Sequence, residues 1–339
     1  MDDKKKYRAL LLAGLGIVGL VLVFVLRPER GKWWRHSGVV WATEYHIQYY
    51  GDRDYSDSIL EVFRRVEMSV SAFAHESTVS KINDNRSDSV DAVMAYMIER
   101  SHELWRITGG AFDPTVRPLV NAWGFGDDEM AVPDTSQVDS LLRLVGIDKV
   151  KVVGGKVVKQ NPATQLDFSA IAKGYGCDEV VRMLKSNGVE DCLVEVGGEI
   201  AMAGHNSEGK LWRISVDTPE YSADSVSRAS MLAFSMSDCG VATSGNYRNY
   251  RTAADGTPYG HIIDPVTGFP RQTDVLSATV CAPDCTTADA LATAFMVLGL
   301  ERSQAIVDAN PDVKAVFITA DKSGTLKTVF SRNWSEGKR

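Results

Sequence analysis

An uncharged run of 18 residues, Ala9 to Leu26, divides this chain of 339 residues into an apolar N-terminal segment and a much longer body of mixed composition. A basic stretch over residues 4–8 precedes the run, which is just long enough to span a bilayer as a helix. A cleaved signal peptide would end in a small-residue site, but this run ends in Leu-Arg-Pro at 26–28. We therefore predict an uncleaved membrane anchor over residues 1–26, with a signal peptide of atypical cleavage site as the alternative.

The body after the anchor is predicted to be a single folded unit over residues 38–332, preceded by a linker over 27–37 and followed by a tail over 333–339. The chain is 44% hydrophobic and 24% charged, which allows it to build a large core. Its net charge of -7 argues against a nucleic-acid binder, because such proteins usually present a basic face. Basic residues flank both ends of the apolar run, so charge only weakly favours an extracytoplasmic body.

The periodicity of apolar residues predicts an α+β fold. Helical spacing recurs over 56–70, 89–107, 171–186, 287–299 and 301–308, whereas strand patterns cover 38–47, 192–196, 211–216, 230–235, 276–281, 314–319 and 325–330. A Gly154-Gly155 turn predicts a hairpin over 148–160. Because helices and strands do not strictly alternate, the pattern favours mixed or antiparallel sheets with packed helices over a doubly wound parallel sheet.

Asp289 and Thr293 lie four residues apart in a predicted helix with a Thr cap at 286–287, so both face the same side. A carboxylate and a hydroxyl on successive turns can hold a hard cation such as Mg²⁺, which takes oxygen ligands. The alternative is an acid that is favourable near a helix N-terminus without binding anything.

Residues 166–176 pass from a predicted strand into a helix, where unpaired backbone N–H groups suit a phosphate. Lys173 can add positive charge beside a diphosphate, and Gly174 permits close approach of the backbone. Neither a Walker A loop nor G-x-G-x-x-G is present. The alternative is an amphipathic helix start with a solvated lysine.

His261 precedes a turn marked by Asp264, Pro265 and Gly268. An imidazole near a phosphate site can act as the general base for an attacking hydroxyl. The alternative is a half-buried histidine with structural hydrogen bonds.

Residues 109–126 combine glycines, prolines and aromatic residues, and we predict a long ordered loop there. Phe112 can border an aromatic ligand, whereas Trp123 is expected to pack in the core. A glycine pair at 197–198 suggests a strand that passes another element closely.

Taken together and in order, five separated motifs and one residue pair resemble the ApbE family of FAD:protein FMN transferases. They are GAFDPT at 110–115, DFSAIAKGY at 167–175, VGGE at 196–199, SGNY at 244–247, HIIDP with Thr267-Gly268 at 261–268, and the pair Asp289 and Thr293. The resemblance spans roughly residues 38–330 and implies a T-fold-related catalytic unit. It also implies transfer of the FMN half of FAD to a Ser or Thr hydroxyl of a protein, with Mg²⁺ as cofactor and AMP as product.

The resemblance further implies roles for individual residues. It implies FAD contacts at Trp41, Phe73, Ala111, Phe112, Asp113, Asp167, Lys173 and Ile263, Mg²⁺ ligands from Asp289, Thr293 and the Ala170 carbonyl, and a hydroxyl-activating His261. Where relatives usually have Met-Gly-Thr, this chain has Trp41-Ala42-Thr43, a departure that bears on the Trp41 contact.

The resemblance also implies a partner and a location. The partner is an acceptor flavoprotein subunit of a membrane electron-transfer complex, of the Na⁺-pumping NADH:quinone oxidoreductase or Rnf type. The location is the inner (cytoplasmic) membrane, with the catalytic unit on the periplasmic side. Three other functions remain open: an FAD pyrophosphatase that uses water as acceptor, a passive flavin-binding protein, and an anchored domain that binds only a protein partner.

Overall fold

The computed structural model describes residues 31–126, 132–217, 230–245, 250–252, 258–271, 273–320 and 325–334. The predicted anchor over 1–26 and most of the predicted tail (335–339) lie outside the described residues. None of the helices formed by the described residues is both long enough and apolar enough to cross a membrane.

The described residues form strands and helices in the following order. They are β1 (Lys32–Val40), β2 (Thr43–Gly51), α1 (Ser56–Val70), α2 (Thr78–Asn83), α3 (Ala92–Thr108), a 3₁₀ turn (Pro114–Val116), α4 (Arg117–Ala122), α5 (Thr135–Leu142), a 3₁₀ turn (Ile147–Lys149), β3 (Val150–Val153), β4 (Lys156–Lys159), α6 (Ala172–Ser186), β5 (Cys192–Val196), β6 (Glu199–Ala203), β7 (Trp212–Asp217), β8 (Ser230–Met236), β9 (Cys239–Gly245), β10 (Tyr250–Thr252), β11 (Pro258–Gly260), β12 (Val275–Ala282), α7 (Cys285–Leu298), α8 (Leu300–Ala309), β13 (Lys314–Ala320) and β14 (Leu326–Phe330).

Eight of these strands build one sheet, in the order β1-β2-β5-β6-β9-β12-β13-β14, and every neighbouring pair is antiparallel. Helices α6 and α7 pack on one face of the sheet, and the two-stranded ribbon β7–β8 contributes to the apolar cluster on the other. Successive residues of β5 therefore alternate between two different cores, as the pleat of a strand requires. The predicted α+β fold with antiparallel strands and packed helices is confirmed.

Helix α7 is buried along almost its whole length, which fits its nearly continuous apolar sequence. Asp284 caps its first turn, because Asp284 Oδ1 accepts a hydrogen bond of 2.7 Å from the backbone nitrogen of Thr287. The predicted cap at Thr286–Thr287 is therefore wrong by two to three positions. Gly240 in β9 lets the helix start directly on the sheet, since a Cβ there would lie 2.1 Å from the Cys285 nitrogen.

The predicted strand over 38–47 is in fact two antiparallel strands joined by a turn at Trp41 and Ala42. Both turn residues have positive φ, 49° and 59°, the conformation of a tight hairpin turn. Neither is glycine, and the alternating pattern continues through the turn, so nothing in the sequence marked it. Strand β1 begins at Lys32, inside the segment predicted as a linker.

The predicted long loop at 109–126 contains more regular structure than expected, since it includes a 3₁₀ turn and the short helix α4. Trp123 packs inside, as expected, and its Nε1 donates a 2.8 Å hydrogen bond to the Gly268 carbonyl. The hairpin at 148–160 is confirmed as β3–β4, with positive φ at both Gly154 and Gly155.

Candidate functional site

A cavity of about 790 Å³ opens where the N-terminal turn of α6, one face of α7, the β5–β6 turn and the loop around His261 converge. Its volume falls in the range of roughly 300–1,000 Å³ that is typical of small-molecule sites. Eleven of the twelve predicted site residues line it, namely Phe73, Ala111, Phe112, Asp113, Asp167, Ala170, Lys173, His261, Ile263, Asp289 and Thr293. The fold therefore gathers into one place side chains that are spread over 220 positions of the sequence.

Trp41 is the predicted site residue that does not line this cavity. Its ring packs edge-on against Phe63 of α1, with centroids 5.3 Å apart, and lies against Gly176 of α6. A Cβ on Gly176 would lie 2.3 Å from the Trp41 ring, so the tryptophan fills the space that this glycine leaves. In this structure Trp41 is a packing residue behind the site.

Asp289 and Thr293 lie one turn apart on α7, as predicted, and face the cavity. Asp289 is 2% exposed, and its Oδ2 accepts a 3.0 Å hydrogen bond from the backbone nitrogen of Gly174. Its other oxygen has no hydrogen bond with any described residue. The Thr293 hydroxyl lies 3.1 Å from the Ser244 hydroxyl of β9. With Ala170 at the same cavity wall, the site offers the oxygen donors that a hard cation takes.

Gly174 brings α6 and α7 together at this point. A Cβ on Gly174 would lie 2.3 Å from the Cys285 carbonyl oxygen and 2.9 Å from Asp289 Cβ. Asp178, one turn further along α6, accepts hydrogen bonds of 2.9 and 2.8 Å from the backbone nitrogens of Cys285 and Thr286. The first turn of α7 is thus held by a carboxylate, which also complements its helix dipole.

Lys173 forms an ion pair with Glu199, with 2.6 Å between Nζ and Oε1. Burial lowers the pKa of Lys173, but the charges of Asp289 and Glu199 more than offset this and leave the pKa above its usual value. Burial raises the pKa of Glu199 to about 7, and it also raises that of Asp289, in both cases against the opposing effect of Lys173. Lys173 is therefore a protonated amine next to two buried carboxylates.

Glu199 is a site residue that the sequence motif contained but to which no role was assigned. The Gly197-Gly198 pair forms the two-residue hairpin turn between β5 and β6, with φ of 63° and 103°. A Cβ on Gly197 would lie 2.9 Å from Thr43, so this tight turn also approaches β2 closely. The signal that could have found Glu199 is an acid directly after a glycine-pair turn.

Asp113 holds the loop that carries Ala111 and Phe112. Its carboxylate is buried and accepts hydrogen bonds from the backbone nitrogen and hydroxyl of Thr115, at 2.8 and 2.6 Å, and from the Ile147 nitrogen at 3.0 Å. Burial raises the pKa of Asp113, while these hydrogen bonds counteract the shift. Asp113 therefore shapes the cavity wall mainly through the backbone that it fixes.

Phe73 stands at the cavity rim with 71% of its surface exposed, an unusually high exposure for a phenylalanine. The Arg117 guanidinium lies 6.0 Å from the centre of its ring and forms an ion pair of 3.5 Å with Asp167. Asp167 Oδ1 also accepts a 2.8 Å hydrogen bond from the Ser169 nitrogen. Arg117 therefore contacts two residues that line the cavity, Phe73 and Asp167. The sequence pattern did not single out Arg117, because it lies within a segment predicted to be a loop.

His261 follows β11 and lines the cavity beside Phe125, with ring centroids 6.3 Å apart. The turn after it is built by Asp264, whose Oδ1 accepts a 2.9 Å hydrogen bond from the Val266 nitrogen, while Ile263 bridges to Pro270. This turn directly follows His261 and so helps to position it in the cavity lining. Asn246 and Tyr247 of the SGNY motif lie outside the described residues.

Comparisons with known proteins agree with this fold. The sequence model of the ApbE family matches residues 41–317. The chain is 38% identical to an FAD:protein FMN transferase of Vibrio cholerae over 81% of this chain and 84% of that protein. It is 31% identical to one of Haemophilus influenzae, over 94% and 96% of the two chains.

Solved structures give the same result at the level of the fold. The structure of the flavin transferase ApbE from Vibrio cholerae superposes with a TM-score of 0.78 at 33% identity, covering 90% of this chain and 98% of that one. The family match covers well over half of the chain, and the relatives are aligned over most of their lengths. This chain belongs to the ApbE family.

Proposed function

We propose that this chain is a Mg²⁺-dependent FAD:protein FMN transferase, which moves the FMN half of FAD to a Ser or Thr hydroxyl and releases AMP. The observation that carries this proposal is that two buried acids of the cavity have too little positive charge beside them. Asp289 and Glu199 are both buried, and Lys173 provides one amine for two carboxylates. A buried carboxylate without a compensating charge is unfavourable, so the site favours a cation beside Asp289. The names of the relatives supply the reaction class.

The proposed cation ligands are Asp289, Thr293 and the Ala170 carbonyl. The Asp289 carboxylate and the Thr293 hydroxyl lie on the same face of α7, and Ala170 lines the same cavity. Bound there, Mg²⁺ would neutralise negative charge on the FAD diphosphate. Lys173, which stays protonated in this site, adds a fixed positive charge for the same phosphate groups.

The proposed FAD contacts are the remaining predicted residues of the cavity. Phe73 offers an exposed aromatic face at the rim, and Phe112 and Ile263 offer apolar walls. Ala111 and Asp167 border the same space, and Asp113 holds the loop in place. Trp41 is not part of this proposal, because it packs behind the cavity.

The proposed general base is His261. Its side chain lines the cavity and is partly exposed, so a hydroxyl from another protein can reach it. The imidazole takes the proton of the acceptor hydroxyl while the hydroxyl oxygen attacks the phosphorus on the FMN side of FAD. The bond between this phosphorus and the AMP phosphate breaks, and AMP leaves. The new bond is a phosphoester between FMN and the acceptor.

We further propose that the acceptor is a flavoprotein subunit of a membrane electron-transfer complex. The location that goes with this is the inner membrane, with the cavity on the periplasmic side. The uncharged run from Ala9 to Leu26 supports an anchor of this kind.

The experiment that tests the function is mass spectrometry of such an acceptor subunit after incubation with the full chain, FAD and Mg²⁺. We expect the acceptor to gain the mass of FMN less water, and an acceptor with Ala in place of its Ser or Thr to gain none. Asp289→Asn, which keeps the shape of the side chain, should lose the gain while retaining the fold. AMP release without any gain on the acceptor would instead indicate a pyrophosphatase, and retained FAD without AMP would indicate passive binding.

A further inference from the structure

Glu199 is a buried acid of the cavity that neither holds the proposed cation nor takes part in the proton transfer described above. It is 5% exposed, and the β5–β6 turn holds it at the start of β6. Its Oε1 lies 2.6 Å from Lys173 Nζ. Its Oε2 is buried and has no hydrogen-bond partner among the described residues. Burying a carboxylate with one oxygen unsatisfied costs free energy of folding, which indicates that Glu199 has a functional role.

The position of Lys173 suggests that reason. Lys173 directly precedes Gly174, whose backbone nitrogen is bonded to Asp289, so the amine and the Asp289 carboxylate belong to the same small region. Even so, among the described residues the amine makes its ion pair with Glu199 and not with Asp289. The Lys173 side chain is partly shielded from water, which favours a counterion for its ammonium. Without Glu199, Asp289 is the other described carboxylate whose charge acts on Lys173.

We infer that Glu199 is a positioning residue that holds the Lys173 amine away from Asp289 and so keeps the Asp289 carboxylate available to a divalent cation. This inference rests on the proposed function, since it assumes a cation at Asp289. An amine paired directly with Asp289 would compete with the cation for the same oxygens. Glu199 prevents that competition and leaves the positive charge of Lys173 in the cavity, where a diphosphate can meet it.

The test is a double-mutant cycle on cation affinity rather than on turnover. Mn²⁺ binding to the full chain is measured in the presence of FAD from the loss of the free-Mn²⁺ EPR signal, recorded before appreciable turnover. Glu199→Met, an apolar side chain of similar length, should weaken Mn²⁺ binding at least tenfold. Glu208→Met, at an exposed surface position, serves as the control and should change it less than twofold.

The second arm separates positioning from simple attraction. In the Lys173→Met background no amine can move to Asp289, so adding Glu199→Met should change Mn²⁺ affinity less than twofold. A tenfold loss that persists in that background would show that Glu199 attracts the cation by its own charge, which would overturn the inference. Glu199→Gln, which retains the packing, provides the same comparison if Glu199→Met does not fold.

The two proposals fail in different ways. If the parent protein binds no Mn²⁺ with FAD present, the cation site itself is wrong, and the role of Glu199 falls with it. If the parent binds Mn²⁺ and Glu199→Met binds it equally well, the cation site stands and only the positioning role is wrong.

Discussion

The backbone nitrogen of Gly174 donates a 3.0 Å hydrogen bond to Asp289 Oδ2, and this contact joins the helix that carries Lys173 to the helix that carries the Asp289–Thr293 pair. It is possible because residue 174 has no side chain, since a Cβ would meet the backbone of α7. This close contact between two helices therefore helps to set the relative position of the charged groups in the cavity.

Gly174→Ala should separate these helices and impair the site. The added Cβ would lie 2.3 Å from the Cys285 carbonyl oxygen, which is backbone and cannot rotate away. We expect a loss of roughly 1–3 kcal/mol in the free energy of unfolding from overpacking, together with a large loss of Mg²⁺-dependent FAD turnover. Chemical denaturation and an assay of AMP release measure the two effects.

Gly176→Ala is the matched comparison on the same helix. Its Cβ would meet the ring of Trp41, which lies outside the cavity, rather than α7. We expect a similar loss of stability with turnover preserved at temperatures well below unfolding. Equal loss of turnover in both variants would contradict the special role of the Gly174 contact.

Substitutions at Trp41 and Phe73 should have opposite effects, one lowering the stability of the fold and the other weakening FAD binding. Trp41→Phe removes packing against Phe63 and should lower the free energy of unfolding by on the order of 1 kcal/mol, with FAD affinity unchanged. Phe73→Ala removes an exposed ring at the cavity rim and should weaken FAD binding by roughly tenfold, equivalent to about 1.4 kcal/mol, with stability unchanged. Calorimetric titration with FAD measures the affinity of each variant, and thermal unfolding measures its stability. Weaker FAD binding in Trp41→Phe would indicate that Trp41 belongs to the FAD site.

His261→Ala should slow transfer to an acceptor far more than it weakens FAD binding. Loss of a general base typically costs roughly 10²–10⁴-fold in rate, whereas the imidazole is one of many groups around the cavity. The rate of acceptor labelling and the FAD dissociation constant are measured in parallel. Labelling at the parental rate would mean that the acceptor hydroxyl needs no base at this position.

The ionisation of Asp178 should lower the free energy of unfolding as the pH rises from about 4 to about 6. Burial raises the pKa of Asp178 to about 6, against its ordinary value of 3.8. In that window the folded protein therefore holds a proton that the unfolded chain has lost, so this contribution falls with rising pH and levels off above about 6. Urea unfolding across pH 4–8 measures it.

Asp178→Asn should flatten this part of the profile, while it also lowers stability at every pH through altered hydrogen bonding to Cys285 and Thr286. The exposed Asp139→Asn serves as the control for replacing a carboxylate and should leave the slope as in the parent protein. A slope that is identical in parent and Asp178→Asn would show that other groups account for the pH dependence.

Local patterns in the sequence determined much of this protein. The helical spacing that put Asp289 and Thr293 on one face of a late helix is correct, and so is the Gly154-Gly155 hairpin. Both depend on neighbours within a few positions of the chain, where side-chain period and turn chemistry have their effect. The order of the motifs also indicated the family.

The tertiary structure decided how these elements meet. The turn at Trp41–Ala42 uses positive φ at two residues other than glycine, so the sequence pattern did not predict it. For the same reason the pattern did not predict that Trp41 packs outside the cavity. The pairing of Lys173 with Glu199 links the start of helix α6 to the start of the interior strand β6. Such contacts are set by packing between distant segments and by the need of buried charges for partners, which depend on where the chain brings them and not on their spacing along it.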